Sequence, residues 1–241
     1  MSTSPSPVLT KPEEQHSVKG MQRMFSVIAP RYDFITRTFS FGMDMSWKKR
    51  LVRELGIQPG MRVLDLACGT GDFSRLCREK GATAVGADLT IDMMRHSPDL
   101  RTPVGADAQV LPFRDGTFDA VLIGYGMRNF PDPGKALREI HRVLKPGGKL
   151  GTLDFFLPEN ILWRKLFLGY MHVQGAFWGL LLHGEPRIYT YIPRSLASFL
   201  TSSNYGTLLG KCGFKLAGGG RFILGAMQIH WAVRNAATPK T

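Results

Sequence analysis

From residue 62 onward the apolar positions follow two alternating rhythms. Short apolar runs of strand type, in "RVLDLACGTG", "ATAVGADLT", "FDAVLIGYGM" and "KLGTLDFF", each run on into a turn or loop. Between them, "DFSRLCREKG" predicts a helix stopped by Gly81, and "IDMMRHS" a short helix. "PGKALREIHRVLKPGG" predicts another, with Leu137, Ile140, His141 and Leu144 at helical spacing and Lys-Pro-Gly-Gly as its stop. "TPVGADAQVLPF" adds a short strand and a loop. Strands and helices alternating through short links imply parallel strands with right-handed crossovers, the doubly wound α/β class.

The flanks break this rhythm. Residues 20–55 read as helix in pieces, interrupted at Ala29-Pro30 and Phe41-Gly42. After residue 156, "ENILWRKLFLGYMHVQGAFWGLLLHGEPR" is apolar, aromatic and helix-compatible, but Arg164, Lys165, His172 and Gln174 spoil it as a membrane span. A helical insertion that covers a pocket or rests on a membrane fits better. "IPRSLASFLTSSNYGTLLGKCG" predicts one helix, and "FKLAGGGRFILGAMQIHWAVRN" two strands around a glycine-rich turn. Such a hairpin adds an antiparallel strand to the parallel sheet. The division expected is a mobile tail at 1–17 and a single domain at 18–241. Within that domain, 18–57 form a helical cap and 157–192 an apolar helical insertion.

Composition narrows the class. An apolar fraction of 44% and a charged fraction of 21% are those of a globular protein. The amino terminus has no apolar h-region, and Cys68, Cys77 and Cys212 form no CxxC pair, so a cytoplasmic chain with free thiols is expected. The net charge is +12, and residues 19–53 carry eight Lys or Arg against Asp33 and Asp44. An anionic membrane surface and plain solubility explain this equally well. Nucleic acid explains it less well, because no basic and aromatic residues alternate across a sheet face.

Candidate chemistry sits where strands end. In "VLDLACGTGDFS", Gly69 and Gly71 let the backbone turn tightly and approach a ligand. Asp88 ends the next strand, placed to accept both hydroxyls of a ribose, and Asp107-Ala108 follows the third, where an acceptor and a backbone N–H can read adenine. A dinucleotide would want a third glycine where Ser74 stands, and Asp72 would repel its pyrophosphate. Asp65 adds a carboxylate for an amino group. Adenosine without phosphates, carrying a cationic tail, describes S-adenosylmethionine. Further along, "AVLIGYGMRNFPDP" ends a core strand by aiming Arg128 and Asn129 beyond it, before Pro131 and Pro133 forbid continuation.

These stretches resemble a known family. "VLDLACGTGD", "ADAQVLPFRDGTFDAV", "YGMRNFPDPGKALREIHRVLKPGGKL" and "LDFF" are similar to the class I S-adenosylmethionine methyltransferases that C-methylate the quinone ring in ubiquinone and menaquinone biosynthesis. The similarity extends upstream through "MFSVIAPRYDFITRTFSFGMDMSWKKR" and, more weakly, downstream in "YTYIPRSL" and "GAMQIHWAV". Many methyltransferases share the glycine turn; "APRYDFITRTFSFG" combined with "YGMRN" is far more specific. The resemblance implies a Rossmann-like methyltransferase sheet, with Thr70, Asp88, Asp107 and Ala108 at the cofactor. Gly124 stands where many relatives have a serine said to touch it. "SFLTSSNYGTLL" departs from the His-Pro or Phe-Pro pattern usual there, which leaves the particular quinone open.

The implied reaction is C-methylation of a prenylated quinol, with demethylmenaquinol preferred to the benzoquinol precursor of ubiquinone. In it a ring carbon attacks the sulfonium methyl, and it does so better as the neighbouring hydroxyl sheds its proton. Arg128, always protonated, is expected to stabilise the phenolate, and Asn129 to orient the second ring oxygen or a water. Tyr32 and Asp33 are expected to supply a base or hold that water. The plain alternative pairs Arg128 with a carboxylate and makes Asn129 a turn cap. His141 and His230 read as structural. No metal is expected, since no His/Cys/carboxylate cluster has ligand spacing and a sulfonium leaving group needs no Lewis acid. A lipid acceptor would give the basic cap and the insertion (Ile161, Leu162, Trp163, Phe167, Tyr170 and 177–182) a peripheral membrane role. Helical core, or a contact within a homo-oligomer, is the bland reading of the same stretch. The rivals are a methyltransferase for a phospholipid amine or sterol, and a cofactor-binding scaffold in a quinone-synthesis assembly. The intact run of Asp65, Gly69, Gly71, Asp88 and Asp107 weighs against the scaffold.

Overall fold

In chain order the strands are β1 (Arg62–Leu66), β2 (Thr83–Asp88), β3 (Pro103–Gly105), β4 (Phe118–Gly124), β5 (Leu144–Phe155), β6 (Phe214–Phe222) and β7 (Met227–Arg234). The computed structural model describes residues 18–95, 100–101 and 103–235; the expected tail at 1–17 lies outside them. The strands form one seven-stranded sheet in the order β3-β2-β1-β4-β5-β7-β6. Strands β1 to β5 are parallel, and β7 runs antiparallel to both β5 and β6. The chain moves outward from β1 through β3 and then returns to lay β4 beside β1. That return is a topological switch point, which opens a crevice at the carboxyl ends of the two strands. Val63, Leu64, Val121, Leu122 and Ile123 are fully buried, because helices cover both faces of the central strands.

One face carries α3 (Asp44–Glu54) and α4 (Asp72–Glu79), whose Trp47, Leu51, Phe73 and Leu76 share a core with α1 (Val18–Ile28) and α2 (Tyr32–Phe39). The other face carries α6 (Pro133–Val143) and α9 (Ser202–Lys211), through Leu137, Ile140, Tyr205 and Leu209. The short α5 (Ile91–Arg95) follows β2. Asp132 caps α6 by accepting the Lys135 N–H at 2.9 Å, with Pro133 in the first turn, so the prolines after Asn129 start this helix. The breaks between the first helices fall at Ala29–Arg31, a 3-10 turn, and at Phe41 and Gly42, both with positive φ.

Three expectations need correction. The segment expected as one helix is two, α8 (Tyr191–Ala197) and α9, because Leu200 leaves the helix to accept the Leu157 N–H and Thr201 bridges Leu157. The glycines of "AGGG" do not form the hairpin turn; they lie inside β6. A Cβ on Gly218 would come within 2.3 Å of the Trp231 ring, so the glycines make room for an indole, and the turn is Ile223–Gly225. Lys145 to Gly148 do end α6, but β5 already begins at Leu144, with a register shift against β4. The apolar insertion is α7 (Ile161–His183), 23 residues capped by Asn160 and Gly184. It buries a narrow stripe of Phe167, Met171, Gly175 and Gly179 and leaves much of its apolar surface exposed. Among the described residues no helix is long and apolar enough to cross a membrane.

Candidate active site

The crevice is built first by backbone. After β1, Ala67, Gly69 and Gly71 all have positive φ, a coiled path that two glycines ease and that Gly71 ends as the N-cap of α4. At the end of β4, Tyr125 also has a positive φ, of 60°. The two strand ends approach so closely that a Cβ on Gly126 would stand 2.6 Å from the Ala67 Cβ. One cavity opens here, and Gly69, Asp88, Asp107, Ala108, Gly124 and Tyr125 line it together with Tyr32 and Asn129.

Asp88 is aimed by its surroundings. One carboxylate oxygen accepts the Gly69 N–H at 2.9 Å and the other the Thr90 N–H at 2.8 Å. Burial raises its pKa, against the lowering by these bonds. Asp107 accepts the Gln109 N–H at 2.8 Å, in a tight turn that presents Ala108. Leu89, Met93 and Phe25 supply apolar wall.

Five sequence-predicted residues lie outside the lining, three of them expected at the cofactor (Asp65, Thr70 and Gly71) and two at the acceptor (Asp33 and Arg128). Asp65 is buried within β1 and accepts both the N–H and the hydroxyl of Ser74 at 2.8 Å, so it braces the first turn of α4. Thr70 donates its hydroxyl to Asp33 at 2.8 Å. Gly71 shapes the turn from behind. Asp33, through that one oxygen, ties α2 to the glycine turn, and it does not line the cavity. Asp72 does not face an anion site either; Lys48 at 2.7 Å and Arg75 at 3.0 Å hold it. At Gly124 an added Cβ would meet the Phe73 ring at 3.0 Å, so a side chain there needs that ring to shift.

Arg128 is buried in a 3-10 turn, Met127–Asn129. Its Nη1 pairs with Asp154, at the end of β5, and donates to the Tyr125 carbonyl at 2.9 Å. The guanidinium lies over the Phe155 ring at 5.5 Å. Asn129 donates to the same Tyr125 carbonyl at 3.2 Å. The carboxylate pair and the turn cap are therefore both present. Yet Arg128 also borders two further spaces. One is a cavity of about 370 Å³ shared with Asn129, Tyr191 and Arg194. The other is a slot of about 20 Å³ between Tyr32, Ile35, Phe155 and Tyr191. Tyr32 separates that slot from the first cavity, and burial raises the pKa of its hydroxyl, as it does for Tyr191.

Sequence reasoning passed over a buried polar chain beneath these spaces. Tyr125 donates its hydroxyl to Asp44 at 2.6 Å, and Lys48 bridges Asp44 at 2.8 Å to Asp72 at 2.7 Å. Burial lowers the Lys48 pKa, but the two carboxylates outweigh it and leave the ammonium firmly charged. The signal available was Asp44 and Lys48 at helical spacing on a face otherwise made of Trp47, Leu51 and Val52. His230, packed between Phe156 and Tyr205, and His141, against Phe214, line none of these three spaces.

A parallel sheet with antiparallel strands at one edge, a glycine turn after β1, an acidic end on β2 and an aspartate just beyond β3 are the features of the S-adenosylmethionine-dependent methyltransferase fold. A methyltransferase of this type from Thermotoga maritima shares the fold with a TM-score of 0.65, at 18% identity, over 89% of this chain and 100% of its own. The [4+2]-cyclase SpnF shares it too, with a TM-score of 0.60 at 16% identity over 92% and 97%, so the fold alone does not fix the reaction. The chain belongs to the ubiE/COQ5 methyltransferase family, whose model matches residues 10–234. It is 40% identical over 203 residues to the demethylmenaquinone methyltransferase of Thermus thermophilus, covering 80% of this chain and 92% of that one. It is 33% identical over 209 residues to the ubiquinone/menaquinone biosynthesis C-methyltransferase UbiE of Geotalea daltonii, covering 81% and 88%. The chain is thus a methyltransferase, and its cofactor is S-adenosylmethionine. The residues suit it: Asp88 has both oxygens oriented by backbone, Gly126 and Ala67 approach closely in the cavity wall, and among the described residues no cation lines the cavity to favour a phosphate.

Proposed function

We propose that this methyltransferase acts on a ring carbon of a prenylated quinol in quinone biosynthesis, with demethylmenaquinol as its acceptor. The observation that carries this reading is a permanently charged guanidinium buried at the boundary between the cofactor cavity's neighbours and an apolar slot. A phenolate needs such a cation; a neutral amine or an alkene acceptor does not. The names of the Thermus and Geotalea relatives support the quinone ring as the acceptor class.

When bound, the cofactor supplies an electrophilic sulfonium methyl. Asp88 is assigned to the ribose hydroxyls, and Asp107 with the Ala108 N–H to the adenine edge. Arg128 favours the ionised form of the ring hydroxyl beside the reacting carbon. Asn129, at the junction of two cavities, orients the second ring oxygen or a water. Tyr32 keeps its proton because it is buried, so its assigned role is to donate to that oxygen or water rather than to act as base. The ring carbon takes the methyl as the carbon–sulfur bond breaks and its electron pair stays on sulfur, and the ring carbon then gives its own proton to water, restoring the aromatic ring. The slot has room for little more than a water, so entry of a ring requires α2 to part from α8. The contacts Phe34–Trp178 and Phe41–Tyr170 form the seam between cap and α7 that would slide.

A lipid acceptor also accounts for the outer face of α7. Ile161, Leu162, Val173 and Leu181 are each more than 60% exposed, with Phe177, Phe41 and the basic Arg37 and Lys165 nearby in sequence or contact. This face is assigned to the anionic membrane surface. Vesicles of phosphatidylglycerol should sediment the protein at low salt, and failure to do so would remove the surface from the reading. The function is tested with methyl-labelled cofactor and reduced acceptors. Label should enter a demethylated naphthoquinol in preference to a benzoquinol; entry into neither would sink the quinol assignment.

A further inference from the structure

Asp154 is fully buried at the end of β5, and nothing in the reaction so far requires it. Both of its oxygens serve Arg128: Oδ1 receives Nη1, and Oδ2 receives the backbone N–H at 3.3 Å. Oδ1 also accepts the Phe155 N–H at 2.8 Å, which locks the carboxylate to its own strand. The Arg128 Nε, buried, has no hydrogen-bond partner. A guanidinium held at one end and unmet at another is set to receive something more. Its other neighbours are the Tyr125 carbonyl on its own loop, Tyr32 on α2 and Tyr191 on α8, with Arg194 on the wall of the larger cavity. Asp44 is directed at Tyr125 and Lys48 instead. Asp154 is therefore the carboxylate that compensates Arg128.

We propose that Asp154 is a positioning residue that fixes Arg128 and, by offsetting its charge, sets the pH at which the acceptor ring is methylated. This rests on the assignment of Arg128 to the ring oxygen. A guanidinium wholly free of its counter-charge would pull the ring hydroxyl's proton off at lower pH, whereas one neutralised by contact pulls less. The alternative is that Asp154 only satisfies a buried arginine, which would affect stability alone.

The test is the pH dependence of methyl transfer to a short-tailed demethylated naphthoquinol, kept reduced, with Asp154→Asn, Asp154→Glu and Arg128→Met measured alongside the parent protein. Asp154→Asn should move the rising limb of kcat toward acid by about one pH unit, the low end for removing a contacting charge, and should lower the plateau as Arg128 loses its anchor. Asp154→Glu should keep the parent midpoint and lose only plateau rate. An unchanged midpoint in Asp154→Asn would overturn the proposal. If that variant does not fold, a shifted midpoint in Asp154→Glu does the same. Arg128→Met reports separately: full turnover there would remove the underlying assignment, whatever the Asp154 variants do.

Discussion

On the cofactor side, Asp88 is aimed by two backbone N–H groups, one from the glycine turn and one from its own loop. On the acceptor side, Arg128 is aimed by a carboxylate 26 residues away on another strand, and its neighbours Tyr32 and Tyr191 come from the cap and from the helix after α7. The first half is shaped mainly by strand ends that the sheet brings together, with the cap adding Phe25 and Tyr32 to its wall. The second exists only when cap, sheet and insertion are docked. On the proposed assignments the difference is one of dependence: cofactor recognition would rest largely on backbone geometry, and acceptor recognition on buried ionic contacts between remote elements.

The largest expected effect comes from cutting the buried chain that docks the cap. Lys48→Met leaves Asp44 and Asp72 without the ammonium between them, in a place where Lys48 is 6% exposed. Breaking a buried pair by removing one partner costs ~3–5 kcal/mol, and denaturant unfolding should show a loss of that order. In the folded fraction, methyl transfer should suffer more than cofactor binding. The opposite order would break the comparison, because it would mean that the cap holds the cofactor more than the acceptor.

Asp88→Asn acts on the other half and should be smaller. It retains shape and one acceptor oxygen while removing charge from the assigned ribose contact. Loss of a hydrogen bond to a charged group is worth ~1.5–3 kcal/mol, or about 10- to 100-fold in the affinity for S-adenosylhomocysteine measured by calorimetry. Methyl transfer at saturating cofactor should stay close to that of the parent. A fall in turnover with unchanged affinity would move Asp88 out of the cofactor site.

The same division explains what could be read from the chain alone. Strand ends at Asp88, Asp107 and Gly124 were legible because apolar runs, glycines and a carboxylate at the right spacing are local signals. The pairing of Arg128 with Asp154 was not, since β4 and β5 must lie in register before the two meet. Nor was the turn at Ile223–Gly225, where residues with poor turn propensity adopt positive φ while the obvious glycines serve Trp231. Asp65 and Thr70 looked like ligand residues because they flank the glycine turn. Their partners, Ser74 and Asp33, show that proximity in sequence to a site does not say which way a side chain faces.

Asp65 offers the most specific test, read as a trend with pH. Burial pushes its carboxyl from the ordinary 3.8 up to about 7, against the two bonds from Ser74 and the charge of Lys48, which pull it down. An acid whose folded pKa is raised holds its proton in the folded state over a range where the unfolded chain has already released it. The folded state then binds more protons, so stability falls as pH rises from about 4 to about 7 and levels off above. At its steepest, one such group contributes ~1.4 kcal/mol per pH unit. In Asp65→Asn that contribution is absent. The stability advantage of the parent over the variant should therefore shrink between acid and neutral pH, measured by denaturant unfolding without cofactor. A gap independent of pH would mean that Asp65 is ionised throughout, and that it braces α4 by hydrogen bonds to Ser74 with no proton to lose.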